Sequence, residues 1–221
     1  TWLSGSTYRV TVVLYGDCGP ASAGAFASLP GGAPRVCVYD GATPVTTLIC
    51  TVNPPSAGVE ITPVCPDSLS RTQCTNTSNS IPGIKKFVYS INYTIPYTSA
   101  NWRFVFNSTY GASSAGRAAA ITNLVGAGGT LMELTATLNN TVYNNTNPSL
   151  TVVPTPFFCL NTPICYTPGA IDPEDDSLRF ELIPAKNATS NCTSSGADVA
   201  YTGTAWTPPL TLVSATTPLR C

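Results

Sequence analysis

Strict alternation of apolar and polar side chains is the feature that most limits what this chain can become. In "KKFVYSINYTI" (85–95) the residues Phe87, Tyr89, Ile91, Tyr93 and Ile95 fall on one side of an extended chain. In "YRVTVVLYGDCG" (8–19) Tyr8, Val10, Val12 and Leu14 do the same, ahead of a turn expected at Gly16-Asp17. A period of two places such residues on one face of a strand; a helix would scatter them. The same reading covers "NWRFVFNST" (101–109), with Trp102, Phe104 and Phe106 inward and Arg103 and Asn107 outward. It also covers "GTLMELTATLNNT" (129–141), with Met132, Leu134, Ala136 and Leu138 buried. "PRVCVYDGATPVTTLICTV" (34–52) reads as a hairpin turning at Asp40-Gly41, and "GVEITPVCP" (58–66) as a short strand. The Ala-rich piece of "NSTYGASSAGRAAAITN" is the one place that suggests a helical turn. Short strands at this spacing form sandwiches, so the expected fold is all-β.

Composition supports strands joined by turns: Pro and Gly together supply 37 of 221 residues, and only 10% are charged. A polar, then Pro-punctuated stretch, "NNTNPSLTVVPTP" (144–156), predicts a boundary between a first domain, 1–148, and a second, 149–221. The first part has seven basic and five acidic residues, a balance of +2; the second has three and six, a balance of −3. Net charge is −1 with no basic stripe, which argues against a nucleic-acid partner. No apolar run reaches the length of a membrane span. Strand-like sequence begins within a few residues of Thr1, so the chain reads as a processed or traced segment of something longer.

Nine cysteines and no histidine set the chemistry. No CxxC pair is present, so disulfides in an oxidising, extracellular setting fit better than zinc. The local pairs Cys37 with Cys50 and Cys65 with Cys74 are the first candidates, and connectivity stays open. Asn-x-Ser/Thr sequons at Asn76, Asn92, Asn107, Asn139, Asn144, Asn187 and Asn191 are candidate glycosylation sites; Asn92 and Asn107 are expected to face solvent.

The acidic stretch "GAIDPEDDSLRFEL" (169–182) carries Asp172, Glu174, Asp175 and Asp176 just before an expected strand with Leu178, Phe180 and Leu182 inward. Hard oxygens gathered in a turn suit Ca²⁺, and a solvated turn shaped by Pro173 accounts for them equally. Otherwise no cofactor is indicated. Carboxylates this close in sequence are poorly arranged for acid/base work, which takes a raised and a low pKa in one cleft. Without histidine, Ser-His-Asp and Cys-His arrangements are excluded, and Ser-Lys pairs have only Lys85, Lys86 and Lys186 to draw on. "GAGG" (126–129) lacks the Lys-Ser/Thr of a phosphate loop. Trp2 and Trp206 are candidates for a sugar-binding face, and Trp102 reads as core.

Taken in order, "YRVTVVLYGDCG", "GVEITPVCP", "NWRFVF…RAAAITNL", "ATLNNT", "PTPFFCLNTPICYTPGAIDPEDDSLRFELIPA" and "TTPLRC" resemble the large gliding-motility-associated surface proteins of the Bacteroidota, exported by the type IX route. The resemblance runs over most of the chain and is densest at 154–185. There Cys159, Cys165, Gly169, Asp172, Pro173, Asp176, Ser177 and Leu178 match the opening of an immunoglobulin-like, cadherin-like module. Three departures stand out. "YGASSAGRAAAITN" lacks the family's Cys-Cys-Arg-Asn run, Glu174-Asp175 replaces the common Asp-Gly, and Phe180 replaces Tyr. The resemblance implies two immunoglobulin-like sandwiches in tandem and an architectural role with no reaction. Residues 149–221 offer four or five strands where a sandwich takes about seven, so the second is expected to be incomplete within this chain. The expected function is therefore a non-catalytic, glycosylated surface fibre subunit that self-associates head-to-tail by strand complementation. A monomeric adhesin or carbohydrate-binding module is the alternative.

Overall fold

A computed structural model of the chain describes residues 1–22, 26–107, 116, 124–126, 130–141, 145–153, 167, 169–181, 183–188, 191–192 and 196–200. It is all-β. Strands β1 (Trp2–Ser4), β2 (Thr7–Asp17), β5 (Thr51–Val52), β6 (Val59–Glu60) and β7 (Ile84–Thr94) make one antiparallel sheet in the order β1-β2-β7-β5, with β6 also on β7. Strands β3 (Arg35–Asp40), β4 (Thr43–Ile49), β8 (Trp102–Phe106), β9 (Leu131–Leu138), β12 (Lys186–Ala188) and β13 (Ala197–Asp198) make a second, ordered β13-β12-β9-β8-β3-β4. A separate two-stranded ribbon pairs β10 (Ser149–Leu150) with β11 (Ala170–Ile171).

The alternating runs do what their pattern requires. β2 and β7 pair over eleven residues, from Thr7 opposite Thr94 to Asp17 opposite Ile84. Their inward residues Tyr8, Val12, Phe87 and Tyr89, with Ile95 just past β7, meet Val36, Val38, Leu48, Trp102 and Phe106 of the second sheet in one core. Phe87, Tyr89 and Trp102 are 1% exposed or less. Each large side chain removed from water so completely contributes about 2–3 kcal/mol. The expected turn at Gly16-Asp17 is instead strand. A Cβ at Gly16 would come within 3.0 Å of Phe26 and Leu29, so this glycine serves close packing. The hairpin at Asp40-Gly41 forms as expected, with Gly41 at φ 57°. "GVEITPVCP" contributes β6 and then a short 3-10 helix, Pro66–Arg71, which alternation did not indicate. The Ala-rich piece lies outside the described residues apart from Gly116.

Two expectations for the later strands fail. On β9, Leu138 is buried, but Leu134 is 50% exposed and Ala136 is exposed, although both share the face of Trp102 and Phe104. "SLRFELIP" forms no strand among its described residues: Phe180 is 49% and Ile183 66% exposed. Leu182 lies outside the described residues. The division at 148/149 does not separate the sheets either. β12 pairs with β9 in the register Lys186–Glu133, Asn187–Met132, Ala188–Leu131, and β13 pairs with β12. Strands drawn from 149–221 thus extend the sheet of 1–148, and Ala188 enters the same core. The reason is local: β9 would otherwise leave a row of backbone donors and acceptors at the sheet edge.

Candidate functional site

Along β3 and β8 the side chains that point away from the core form a second face. Cys37, Tyr39 and Val105 are buried there in a small cluster completed by Cys192. The Cys37–Cys192 disulfide spans 155 residues, with Cα atoms 5.5 Å apart. A carboxylate-amide pair, buried on the amide side and half-buried on the carboxylate side, lies beside it. Asn107, wholly buried, donates through Nδ2 to Glu133 Oε2 (3.1 Å) and accepts at Oδ1 from the Cys192 N–H (3.1 Å). Glu133 Oε1 accepts from the Gly196 N–H at 3.0 Å, and the Tyr39 hydroxyl donates to the Cys192 carbonyl. Burial raises the Tyr39 phenol above its ordinary range, with Arg103 opposing and Glu133 adding, so it remains a donor. At the outer edge Lys186 pairs with Asp198, both well exposed; such a surface pair adds little.

These contacts correct the cysteine expectations. Cys37 and Cys50 do not pair, because strand parity puts them on opposite faces. Val36 opposes Leu48, the Cys50 N–H bonds the Pro34 carbonyl, and Cys50 joins the main core, whereas Cys37 faces outward. Cys50 is a free thiol pushed up to about 11 by burial. Cys65 and Cys74 do not pair either. Cys74 bonds Cys18 at a Cα separation of 4.9 Å, fastening the end of β2 to the loop after the 3-10 helix, and Cys65 is exposed and free. Cys159 and Cys165 lie outside the described residues.

The sequons separate by burial. Asn92 is exposed on β7, as expected, and takes a hydrogen bond from Arg9 across the sheet. Asn107 is not exposed. Its face of β8 is covered by Cys192, and an Nδ2 held by Glu133 has no room for a sugar. Asn76 and Asn139 are exposed, and each accepts at Oδ1 from the residue two ahead, Ser78 N–H and Thr141 N–H and hydroxyl. Asn187 and Asn191 are half-buried, and Asn144 lies outside the described residues.

The acidic turn is organised around one carboxylate. Asp172, 8% exposed, accepts at Oδ1 from the N–H groups of Glu174 (3.0 Å) and Asp176 (3.2 Å), while Asp175 takes φ 60°. Glu174 turns away to accept from the Thr146 N–H, and the Thr146 hydroxyl accepts from Trp2 N–H. Asp172, Glu174, Asp175 and Asp176 therefore do not converge, and among the described residues no group of three or more metal-ligating side chains does. The turn closes on itself as an Asx turn. Trp2 is 38% exposed on an edge strand with its indole N–H given to Gly5, and Trp206 lies outside the described residues. Trp102 is core, as expected.

A depression of about 370 Å³ lies over Asn101, Arg103 and Thr137, and one of about 190 Å³ beside the Cys37–Cys192 bridge. No described helix is long and apolar enough to cross a membrane. No family model, no curated protein and no solved structure matches the chain.

Sequence reading missed Glu133 and Tyr39 as anchors. One signal was available: Glu133 is the single acidic residue between Asp67 and Asp172, set inside a strand of apolar and Thr residues. An isolated carboxylate in such a strand asks for buried donors.

Proposed function

We propose that this chain is a non-catalytic, extracellular structural protein, a subunit or module of a glycosylated surface fibre that self-associates by β-strand complementation. The observation that carries the reading is the Cys37–Cys192 bridge together with Cys18–Cys74: long-range staples between distant segments suit an oxidising exterior. Exposed Asn76, Asn92 and Asn139 leave room for glycans on a surface with few charges. The likeness of 154–185 to modules of gliding-motility-associated surface proteins supports an architectural role. The histidine-free sequence argues against the commonest hydrolytic machinery.

The extended N-terminal stretch is not free to be lent to a neighbour, because β2 is paired with β7 along its whole length. The test is light scattering and negative-stain imaging of the glycosylated, oxidised chain over a concentration series. Oligomers or fibres that grow with concentration are expected. Monomers throughout would overturn the reading.

A further inference from the structure

We propose that β12, Cys192 and β13 form an exchangeable ribbon that docks on β9 of a second copy of this chain, closing Cys37–Cys192 between copies. The inference rests on the self-association proposed above and names the element exchanged. It begins from a division of labour. Among the described residues the groups that receive the ribbon, Cys37, Tyr39, Thr47, Asn107, Val125 and β9 with its Glu133, all precede Asn139. The groups received come from Lys186–Ala200: the Cys192 backbone and sulfur, the Gly196 N–H, the Ala200 carbonyl, and the three-residue register of β12 on β9. A ribbon from another copy would meet an identical receptor and make identical contacts.

The ribbon has little of its own to hold it. β12 has three residues and β13 two, and among its described residues the buried apolar side chains are Ala188 and Val199. Burying those two small groups gives about 2 kcal/mol, too little to place a ribbon without the sulfur bridge and the Glu133 contacts. The described part of the connection leading to it is largely exposed. From Pro173 to Ala185 the described residues form no strand, and all but Leu178 are exposed. Its starting point is fixed, because Asp172 is buried and closed into its own turn. Beyond that turn, which holds Glu174 and Asp176, a tether of nine residues (177–185) reaches about 30 Å when extended, far enough to lay the ribbon on an adjacent molecule. Exchange of an identical element costs little because the contacts are conserved. Reciprocal exchange closes a dimer, and donation onward to a third copy builds an open chain.

The sulfur chemistry balances without an oxidant. A small-molecule thiolate attacks Cys192 Sγ, the less buried sulfur, and Cys37 leaves as thiolate. The mixed disulfide travels with the ribbon. The Cys37 thiolate of a second, similarly opened copy then attacks Cys192 Sγ, forms the bridge between copies, and expels the small thiolate. When both ribbons have exchanged, two bridges have been broken, two formed, and both small thiolates returned, with no net change in electrons or protons.

The test mixes equal amounts of unlabelled and nitrogen-15-labelled full chain in a glutathione buffer, separates monomer from larger species, and digests each without reduction. Mass spectrometry then reads the isotopes of the peptide pair joined through Cys37 and Cys192. Isotopically pure pairs are expected in the monomer, and about half of the pairs in the dimer are expected to be mixed. Larger species whose Cys37–Cys192 pairs are all pure, joined through Cys65 or by non-covalent contact, would overturn the ribbon while leaving self-association standing. Absence of any larger species would overturn both.

Discussion

Residues 87–95 and 177–184 carry the same kind of pattern, FVYSINYTI in one and SLRFELIP in the other, and their fates differ. The first is the spine of a sheet, with Phe87 and Tyr89 sealed in the core; the described residues of the second form no strand and, Leu178 apart, are exposed, with Phe180 half in water. Alternation states which side chains would share a face if the segment were a strand. It does not supply the opposing surface. β7 finds β2 on one side, β5 and β6 on the other, and a second sheet across the core. Residues 177–184 have no such partner among the described residues. Period alone is half the requirement, and a facing layer is the other half.

The largest effect that sharpens this contrast is a pair of truncations. Phe87→Ala should lose about 3–5 kcal/mol of stability in denaturant unfolding, through lost burial and a cavity. Phe180→Ala should change it by less than about 0.5 kcal/mol. Equal losses would mean that the segment around Phe180 packs as the core does.

Next in size is the staple. Replacing Cys37 and Cys192 together by Ala should cost about 3–4 kcal/mol, because a bridge across 155 residues restricts the unfolded chain strongly. Hydrogen exchange should then quicken at β12 and β13 and stay slow in β2 and β7. Uniform quickening would make the ribbon an integral part of the core.

A smaller change is expected from Glu133→Gln. Two N–H donors, from buried Asn107 and half-buried Gly196, would lose a carboxylate acceptor, for a loss of about 1–3 kcal/mol. The variant should still fold, with faster exchange at the Gly196 amide. Unaltered stability and exchange would remove Glu133 from the account of the ribbon.

The smallest effect is on pH. Burial pushes the Cys50 thiol up to about 11, above its value in the unfolded chain. The unfolded state therefore releases this proton first, and stability that is full below about pH 9 is lost as pH rises through the folded value, by about 1 kcal/mol near pH 10. Burial also raises Tyr8, Tyr39 and Tyr93, so the comparison is with Cys50→Ala, whose alkaline loss should be smaller. Equal alkaline losses in both proteins would show that Cys50 is not sealed.

Much of the sandwich was legible because aromatic and β-branched residues announce its central strands, and the Asp40-Gly41 hairpin announces itself by its turn. Trp102 and Phe106 were correctly placed in the core, and Asn107 was assigned to the correct face of β8. Its exposure was misjudged, since what covers that face is a segment 85 residues away, at Cys192. β12 and β13 were invisible for a related reason: Lys186-Asn187-Ala188 and Ala197-Asp198 have no apolar alternation, and polar anchors hold them. Disulfide partners depend on the same long-range closure. Strand parity, however, already ruled out Cys37 with Cys50 once the hairpin register was fixed.

Central to everything above is that β12 and β13 close the second sheet through sulfur. Digestion of the oxidised chain without reduction, followed by mass spectrometry of linked peptides, tests it directly. Peptides joined as Cys37 with Cys192 and Cys18 with Cys74 are expected, with Cys50 recovered as a free thiol after unfolding. Recovery of Cys37 with Cys50 and Cys65 with Cys74 would contradict both the register of β3 on β4 and the docking of the ribbon.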